Sequence, residues 1–286
     1  MYKNAKIEKI LVCPKCQSKL SDEKGYLKCR QCHKHYIKEN NKIFFLSKKE
    51  IQQITNKQDW LGRLKDRIKN NVFLYYWLVI IFSPVISLGI KKWQRLSKSL
   101  HRQANILNLG SGPHGIDEKI INIDISPYKN VDIVADISKL PFRKNSIDAV
   151  LSIAVLEHLS NPEKVVAEMH RVLAPGGFAY CIVPFMYGFH SSPNDFSRWT
   201  EPGVRILFGQ FRSCEIGIAS GPSSALIAMA AEFLACLFSF NILFLYKFFW
   251  ILFTIILFPI KYLDLLLNQY GYSKNIACTF YLIARK

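Results

Sequence analysis

"ILNLGSGPHGIDEKIINIDIS", residues 106–126, sets Gly110, Gly112 and Gly115 in a G-x-G-x-x-G pattern directly behind an apolar run. That run, "ANILNL" at residues 104–109, has the composition of a strand buried on both faces. A glycine turn behind such a strand holds a dinucleotide only when a full helix follows. The positive end of that helix carries the pyrophosphate, and the next strand arrives about 20 residues on with an acid for the ribose. Here only "IDE" separates Gly115 from the next apolar run, "KIINIDI". No ordinary helix fits, so NAD or FAD would lack its diphosphate anchor.

The same turn suits a nucleoside cofactor without phosphate. S-adenosylmethionine offers an amino-acid tail that a glycine turn can approach with its backbone. Asp124 ends the second strand, where a carboxylate can accept both ribose hydroxyls. "VDIVADISKLPF" (131–142) places Asp136 behind a third short strand, in reach of an adenine amino group, and "SIDAVLSIAVLEHL" (146–159) reads as a fourth strand ending near Ser152 and Ile153. "NPEKVVAEMHRVLAPGG" (161–177) reads as a helix capped by Asn161, with Pro162 in its first turn. Its apolar face is Val165, Val166, Met169, Val172 and Leu173, and Pro175, Gly176 and Gly177 stop it. "FAYCIVP" (178–184), "FRSCEIGIA" (211–219) and "IACTFYLIARK" (276–286) supply the fifth, sixth and last strands.

Taken as a set, the glycine turn, Asp124, "DISKLPF", "VLEHL" and "EMHRVLAPGGFAYCIVP" resemble the class I S-adenosylmethionine-dependent methyltransferases in order and spacing. The resemblance covers residues 105–218 and the last strand. It implies an α/β, Rossmann-like, doubly wound seven-stranded sheet with its site at the carboxyl ends of the strands. It also implies cofactor contacts from Asn108, Gly110, Ser111, Gly112, Asp124, Asp136, Ile137 and Ser152. Where that family often carries an acid, this chain has Asn108.

"PFMYGFHSSPNDFSRWT" (184–200) follows the fifth strand, where loops of the resembled fold cover the substrate. Methyl transfer is an in-line displacement at an activated methyl. The protein has to align the acceptor, exclude water and, for a hydroxyl, remove a proton. His190 suits the last task near neutral pH. Asp195 either orients His190 or pairs with Arg198 to lock the loop. Tyr187 and Trp199 are further candidates, and His158 of "LEHL" either faces the cofactor or is structural.

Ahead of this domain, "LVCPKCQSKLSDEKGYLKCRQCHKHY" holds Cys13, Cys16, Cys29 and Cys32 as two C-x-x-C pairs twelve residues apart. Two such knuckles close a tetrahedral thiolate site suited to structural Zn2+. His33 and His35 read as surface residues. So small a unit lacks a core and is expected to be held by its metal. The pattern, ending in "KIFFL" (42–46), resembles zinc ribbons fused to or partnered with certain methyltransferases. The expected organisation is a ribbon at 1–46, a basic and apolar helical linker at 47–104, and a methyltransferase domain at 105–286 with an apolar helical insertion at 223–267.

Charge and hydropathy narrow the surroundings. Residues 1–105 hold 23 Lys+Arg against 7 Asp+Glu, and residues 106–286 hold 15 against 14, so the net charge of +17 sits almost wholly at the front. A basic front suits an anionic membrane surface or, less well here, nucleic acid, because stacking aromatics interleaved with Arg are missing from it. No secretory signal opens the chain, and the cysteines do not form a disulfide framework, so a reducing cytosol is expected. "VFLYYWLVIIFSPVISLGI" (72–90) carries no charge and is flanked by Lys and Arg; residues 223–267 are interrupted only by Glu232, Lys247, Lys261 and Asp264. Because the insertion leaves and re-enters one sheet, it must cross a bilayer an even number of times or not at all. Both segments are expected to lie in one leaflet as monotopic or re-entrant helices, the alternative being a soluble helical layer or a dimer interface. The sequence therefore favours methyl transfer, on oxygen, to a lipid or lipid-linked acceptor at the cytosolic membrane face. RNA methylation and a non-catalytic scaffold are the competing readings.

Overall fold

The computed structural model describes residues 7–55, 85, 88–113, 115–190 and 194–286. Most of the apolar stretch 72–90, its basic flank at 63–69, and His114 lie outside them. In chain order the elements are β1 (Leu20–Glu23), β2 (Tyr26–Cys29), β3 (His35–Glu39), β4 (Lys42–Phe44), α1 (Lys48–Thr55), α2 (Gly89–Ser97), β5 (Ile106–Leu109), β6 (Ile121–Asp124), β7 (Ile133–Val134) and β8 (Ile147–Ile153). They continue with a 3-10 turn (Leu156–His158), α3 (Pro162–Val172), β9 (Leu173–Pro184), α4 (Glu201–Leu207), β10 (Ser213–Ser220), α5 (Pro222–Ser239), α6 (Leu243–Leu257), α7 (Asp264–Leu267) and β11 (Thr279–Arg285).

Seven strands run in the order β7-β6-β5-β8-β9-β11-β10, with β11 antiparallel to both neighbours and β5–β9 parallel. The order reverses at β5 and β8, which puts a crevice at the carboxyl ends of those strands. The expected seven-stranded sheet is present, and it is longer than expected: β4 of the ribbon pairs in parallel with β7, so β1–β4 extend the same sheet to eleven strands. Ile43 N donates to Asp132 O (3.0 Å) and Phe45 N to Val134 O (2.8 Å), while Val12 N donates to Pro141 O (2.9 Å). Leu11, Leu27, Tyr36, Ile43 and Phe45 join one buried cluster with Ile123, Ile133 and Phe142 of the main domain. The expectation of a ribbon without a core is thereby corrected. Its apolar side chains share the core of the larger domain.

One face of the sheet is covered by α3, whose buried residues are Pro162, Val165, Val166, Met169 and Val172. Arg171 fastens it, donating to Leu140 O (2.9 Å), Phe142 O (2.8 Å) and the Glu168 carboxylate. Asn161 occupies the position before the helix, but its side chain makes no capping bond and turns instead to Ser160 Oγ (3.3 Å). The expected Asn cap is therefore absent; Pro162, which has no N–H to satisfy, lightens that loss. The opposite face is covered by α2, where Trp93 packs on Phe178 and Tyr180 (ring centroids 6.3 and 5.8 Å apart). As the short linker required, no helix stands between Gly115 and β6.

Between β10 and β11 the chain leaves the sheet as a helical hairpin. α5 is buried along Ser223, Ser224, Ala225, Ile227, Ala228, Ala231 and Ala235, small residues that let it lie close to the protein. Phe240 and Asn241, both with left-handed φ (47° and 60°), make the turn into α6. The outer surface is apolar: Phe233, Phe240 and Phe244 are 67, 77 and 75% exposed. Both α5 and the stretch Leu243–Leu267 are long and apolar enough to cross a membrane, half-buried in the first case and almost bare in the second. Asp264 anchors the hairpin. It is fully buried, and its carboxylate accepts from Gly221 N (3.1 Å), Ser223 N (2.7 Å), Ser224 N (3.0 Å) and Ser224 Oγ (2.6 Å). An acid forty residues downstream thus caps the first turn of α5 and meets its positive end.

Candidate active site

The glycine turn is shaped by close approach. Gly110 (φ +64°) lies against Val155, whose Cγ2 would stand 2.6 Å from a Cβ placed there. Gly112 (φ +59°) faces open space on the same side. Val155 reaches the turn because Ala154, just past β8, adopts a left-handed φ of 53°. That conformation costs an alanine about 1 kcal/mol, a strain typical of functional loops.

Asp124 binds both sides of the turn. Its Oδ2 accepts from Gly112 N (2.8 Å) and its Oδ1 from Ser126 N (2.8 Å). These two bonds fix the orientation of the carboxylate. Asn108 is buried at the heart of β5. Its Nδ2 donates to Asn122 Oδ1 (3.1 Å), Asn122 Nδ2 donates to Asn130 O (3.1 Å), and Asn130 Nδ2 donates to Gly112 O (3.0 Å). A neutral amide donates and accepts at once, and three of them tie β5 and β6 to the turn. Ser111 N donates to Ile123 O (3.1 Å). Asp136 is exposed and receives Ser138 N (2.8 Å), while Ile137 is buried in the core. Ser152, at the end of β8, is buried and its Oγ has no protein partner. Open space at Gly112, an oriented carboxylate and an unpartnered hydroxyl at adjoining strand ends fit a nucleoside cofactor lying across β5, β6 and β8.

The loop after β9 is bolted by Arg198. Its Nη1 and Nη2 meet the Asp195 carboxylate (2.5 and 2.6 Å), while Nε donates to Tyr187 O (2.9 Å) and Nη2 to Gly188 O (2.7 Å). The guanidinium holds the Asp195 carboxyl down to about 2, against burial. Asp195 Oδ2 also accepts from His190 N (2.8 Å). The structure therefore brings His190, Asp195 and Arg198 together. Burial pushes the Tyr187 phenol up to about 12, which keeps it protonated near neutral pH.

Two more residues meet at this place: Glu157, to which the sequence assigned no role, and His158, which it left between cofactor contact and structure. Glu157 lies in the short 3-10 turn behind β8 at 0% exposure, with neither carboxylate oxygen hydrogen-bonded; His190 Nε2 is 3.5 Å from its Oε1. His158, beside it, meets Asn194 O through Nδ1 at 2.6 Å, and its ring sits edge-on to that of His190 with centroids 5.1 Å apart. Above them a cleft is walled on one side by Tyr187, Gly188, Phe189 and His190. Its other wall is the hairpin, through Ala228, Ala231, Glu232, Trp250 and Thr254.

In the ribbon the four cysteines converge. Sγ of Cys13 lies 3.6 Å from that of Cys32, and Sγ of Cys16 lies 3.4 Å from that of Cys29; all four lie within 4.8 Å of one another. Sulfurs around a tetrahedral Zn2+ sit about 3.8 Å apart, so the set fits. Gln17 and His33 follow the two knuckles with matching left-handed φ (59° and 55°), and Tyr36 OH lies 3.0 Å from Cys13 Sγ. The Ser18 backbone N–H, above all, lowers the Cys16 thiol to about 6, against burial. His33 and His35 are both exposed, as the sequence suggested.

Residues 107–181 match the family model described as a methyltransferase domain. The strand order and the glycine turn around this match are those of the class I methyltransferase fold. Among curated proteins, a sterol 4-C-methyltransferase of Caenorhabditis elegans is 38% identical over 61 residues, which is 21% of this chain and 18% of that protein. A tRNA (carboxymethyluridine(34)-5-O)-methyltransferase of Arabidopsis thaliana is 46% identical over 54 residues, 18% of this chain and 13% of that protein. The chain thus spans less than a fifth of the length of these two relatives. Among solved structures, a phosphoethanolamine N-methyltransferase of Haemonchus contortus aligns with a TM-score of 0.46 at 14% identity, covering 77% of this chain and 58% of that one.

Proposed function

We propose that this protein transfers a methyl group from S-adenosylmethionine to an oxygen of a lipid or lipid-linked acceptor, an isoprenoid or a lipid-carried sugar, at the cytosolic face of a membrane. The observation that carries the reading is the cleft between the loop at 187–190 and the apolar hairpin, because it sets His190 against the one large exposed apolar surface among the described residues. A lipid whose chains lie along α5 and α6 can present its polar end there. The hairpin leaves and re-enters one sheet, so a position in one leaflet suits it, with the basic front of the chain at the headgroups.

In this reading Gly110, Ser111 and Gly112 hold the amino-acid tail of the cofactor, with Asn108 behind them. Asp124 takes the ribose hydroxyls, Asp136 and Ile137 take the adenine, and Ser152 supplies a hydroxyl at the end of β8. The cofactor supplies a methyl already activated on a sulfonium. The chain aligns the acceptor, keeps water out with Tyr187, Phe189 and Trp250, and accepts the acceptor's proton. His190 stands where that proton leaves, and the Asp195–Arg198 pair fixes its loop. The ribbon holds a structural Zn2+ through Cys13, Cys16, Cys29 and Cys32.

Transfer of tritium from labelled S-adenosylmethionine into a lipid extract or into total RNA tests the reading. Label in lipid supports it. Label in RNA would favour a nucleic-acid acceptor for the basic front, and label in neither would leave a cofactor-binding scaffold. The short matches to a sterol and a tRNA methyltransferase do not choose between the first two outcomes.

A further inference from the structure

The buried carboxylate of Glu157 needs a partner. Removing a carboxylate from water without hydrogen bonds costs several kcal/mol unless a proton or a cation compensates it. Glu157 has no hydrogen bond to either oxygen and sits beside two imidazoles. Each of Glu157, His158 and His190 presents one ligand atom, and these atoms lie within 4.8 Å of one another.

The free nitrogens follow from the partners. His158 Nδ1 lies 2.6 Å from a carbonyl, Asn194 O, so Nδ1 carries the hydrogen and Nε2 keeps its lone pair. For His190, Arg198 Nη2 lies 3.3 Å from Nδ1, which at first suggests a donor there. Nη2 has two hydrogens, and both are taken by Gly188 O (2.7 Å) and Asp195 Oδ2 (2.6 Å). Nδ1 of His190 faces two acceptors, Gly188 O (3.4 Å) and Asp195 Oδ2 (3.5 Å), and so carries its own hydrogen. In the neutral ring, Nε2, on the side of Glu157, then keeps its lone pair. Both rings are thus held by hydrogen bonds from the far nitrogen, the arrangement that orients a metal-binding histidine. Arg198 is the nearby cation, and Asp195 neutralises it through two short contacts.

We infer that Glu157, His158 and His190 form a binding site for a divalent first-row cation, separate from the cysteine site of the ribbon. Two imidazoles and a carboxylate suit Mn2+, Fe2+, Co2+ or Zn2+ and leave coordination positions open. Because His190 also lines the acceptor cleft, an oxygen of the acceptor is the ligand for those positions. The inference rests on the acceptor cleft proposed above and revises one role in it: with the cation bound His190 is a ligand, and an acceptor hydroxyl acidified by the cation gives its proton to solvent.

The test uses full-length protein with zinc already in the ribbon, titrated with Mn2+ and followed by the electron paramagnetic resonance of free Mn2+. The expected result is one Mn2+ per chain, with affinity at least tenfold weaker in Glu157→Gln and in His158→Gln. His158 is only part-buried, so its variant keeps the test open should the Glu157 variant fail to fold. Absence of stoichiometric Mn2+ uptake by the wild type overturns the inference, as does affinity within twofold of wild type in every folded variant of the two. Methyl transfer by a protein that takes up no Mn2+ would remove the ion and leave the transfer reading standing. Mn2+ uptake without methyl transfer would do the reverse.

Discussion

The two ends of the sheet carry additions of opposite kinds. At one edge, β1–β4 continue the backbone hydrogen-bond ladder and send Leu11, Leu27, Tyr36 and Phe45 into the shared core. At the other, the hairpin of α5 and α6 is held by a capping carboxylate and a row of small residues, while its large apolar residues face outward. The first addition satisfies itself and the second does not. Phe233, Phe240 and Phe244 stand bare at that second edge, the kind of apolar surface the proposed membrane contact would cover.

Breaking the ribbon gives the largest effect if that contrast holds. With Zn2+ on the four thiols as proposed, Cys29→Ser removes a ligand whose binding is coupled to folding, and unfolding free energy falls by about 5 kcal/mol or more. Denaturant titration reads the loss, and hydrogen exchange at the Ile43 and Phe45 amides accelerates with it. Exchange unchanged at those amides would make the cysteine set irrelevant to the docked edge.

At the hairpin edge, Asp264→Ala leaves three backbone N–H groups and a serine hydroxyl without their acceptor. Destabilisation of about 3–4 kcal/mol is expected in urea titration, given about 1–3 kcal/mol for each buried group stranded and partial rescue by water. A value under 1 kcal/mol would mean that α5 is held by packing alone.

The sheet between the edges answers to smaller changes. Asp124→Asn keeps one good acceptor oxygen and strands one of Gly112 N and Ser126 N, so stability falls by about 1 kcal/mol. Affinity for S-adenosylmethionine falls about tenfold or more, or about 1.4 kcal/mol. The smallest stability effect belongs to Phe233→Ser with Phe244→Ser, within about 0.5 kcal/mol of wild type because both rings are exposed. The same pair lowers partitioning to anionic phospholipid vesicles, read by flotation, about a hundredfold or more, since each ring gives up about 1.5 kcal/mol or more of apolar burial in the bilayer. Unchanged flotation would turn the hairpin into a protein–protein surface.

Much of this was legible in the chain. The positions of the main-domain strands, the absent helix behind Gly115, the buried face of α3 and the convergence of four cysteines all rest on local spacing, which survives folding unchanged. What stayed hidden depends on contacts distant in sequence. Asp264 looks like a mere interruption in an apolar run until β11 brings it back beneath Ser223 and Ser224. Glu157 looks like the polar side of a short turn until His190 and Phe196, from the segments after β9, come against it. The pairing of β4 with β7 could not be read at all, because a three-residue strand followed by a two-residue strand has too little pattern to announce a partner. Asn161 shows the opposite failure: the local signal for a cap was present, and the backbone there (φ −138°, ψ 72°) turned the side chain elsewhere.

The central claim is that the turn at Gly110–Gly112 holds a sulfonium nucleoside and not a dinucleotide. Titration calorimetry of the full-length protein with S-adenosylmethionine and, separately, with NAD tests it directly. The account predicts one S-adenosylmethionine bound per chain, weakened by Asp124→Asn, and no saturable heat with NAD. Saturable binding of NAD with none of S-adenosylmethionine would contradict it.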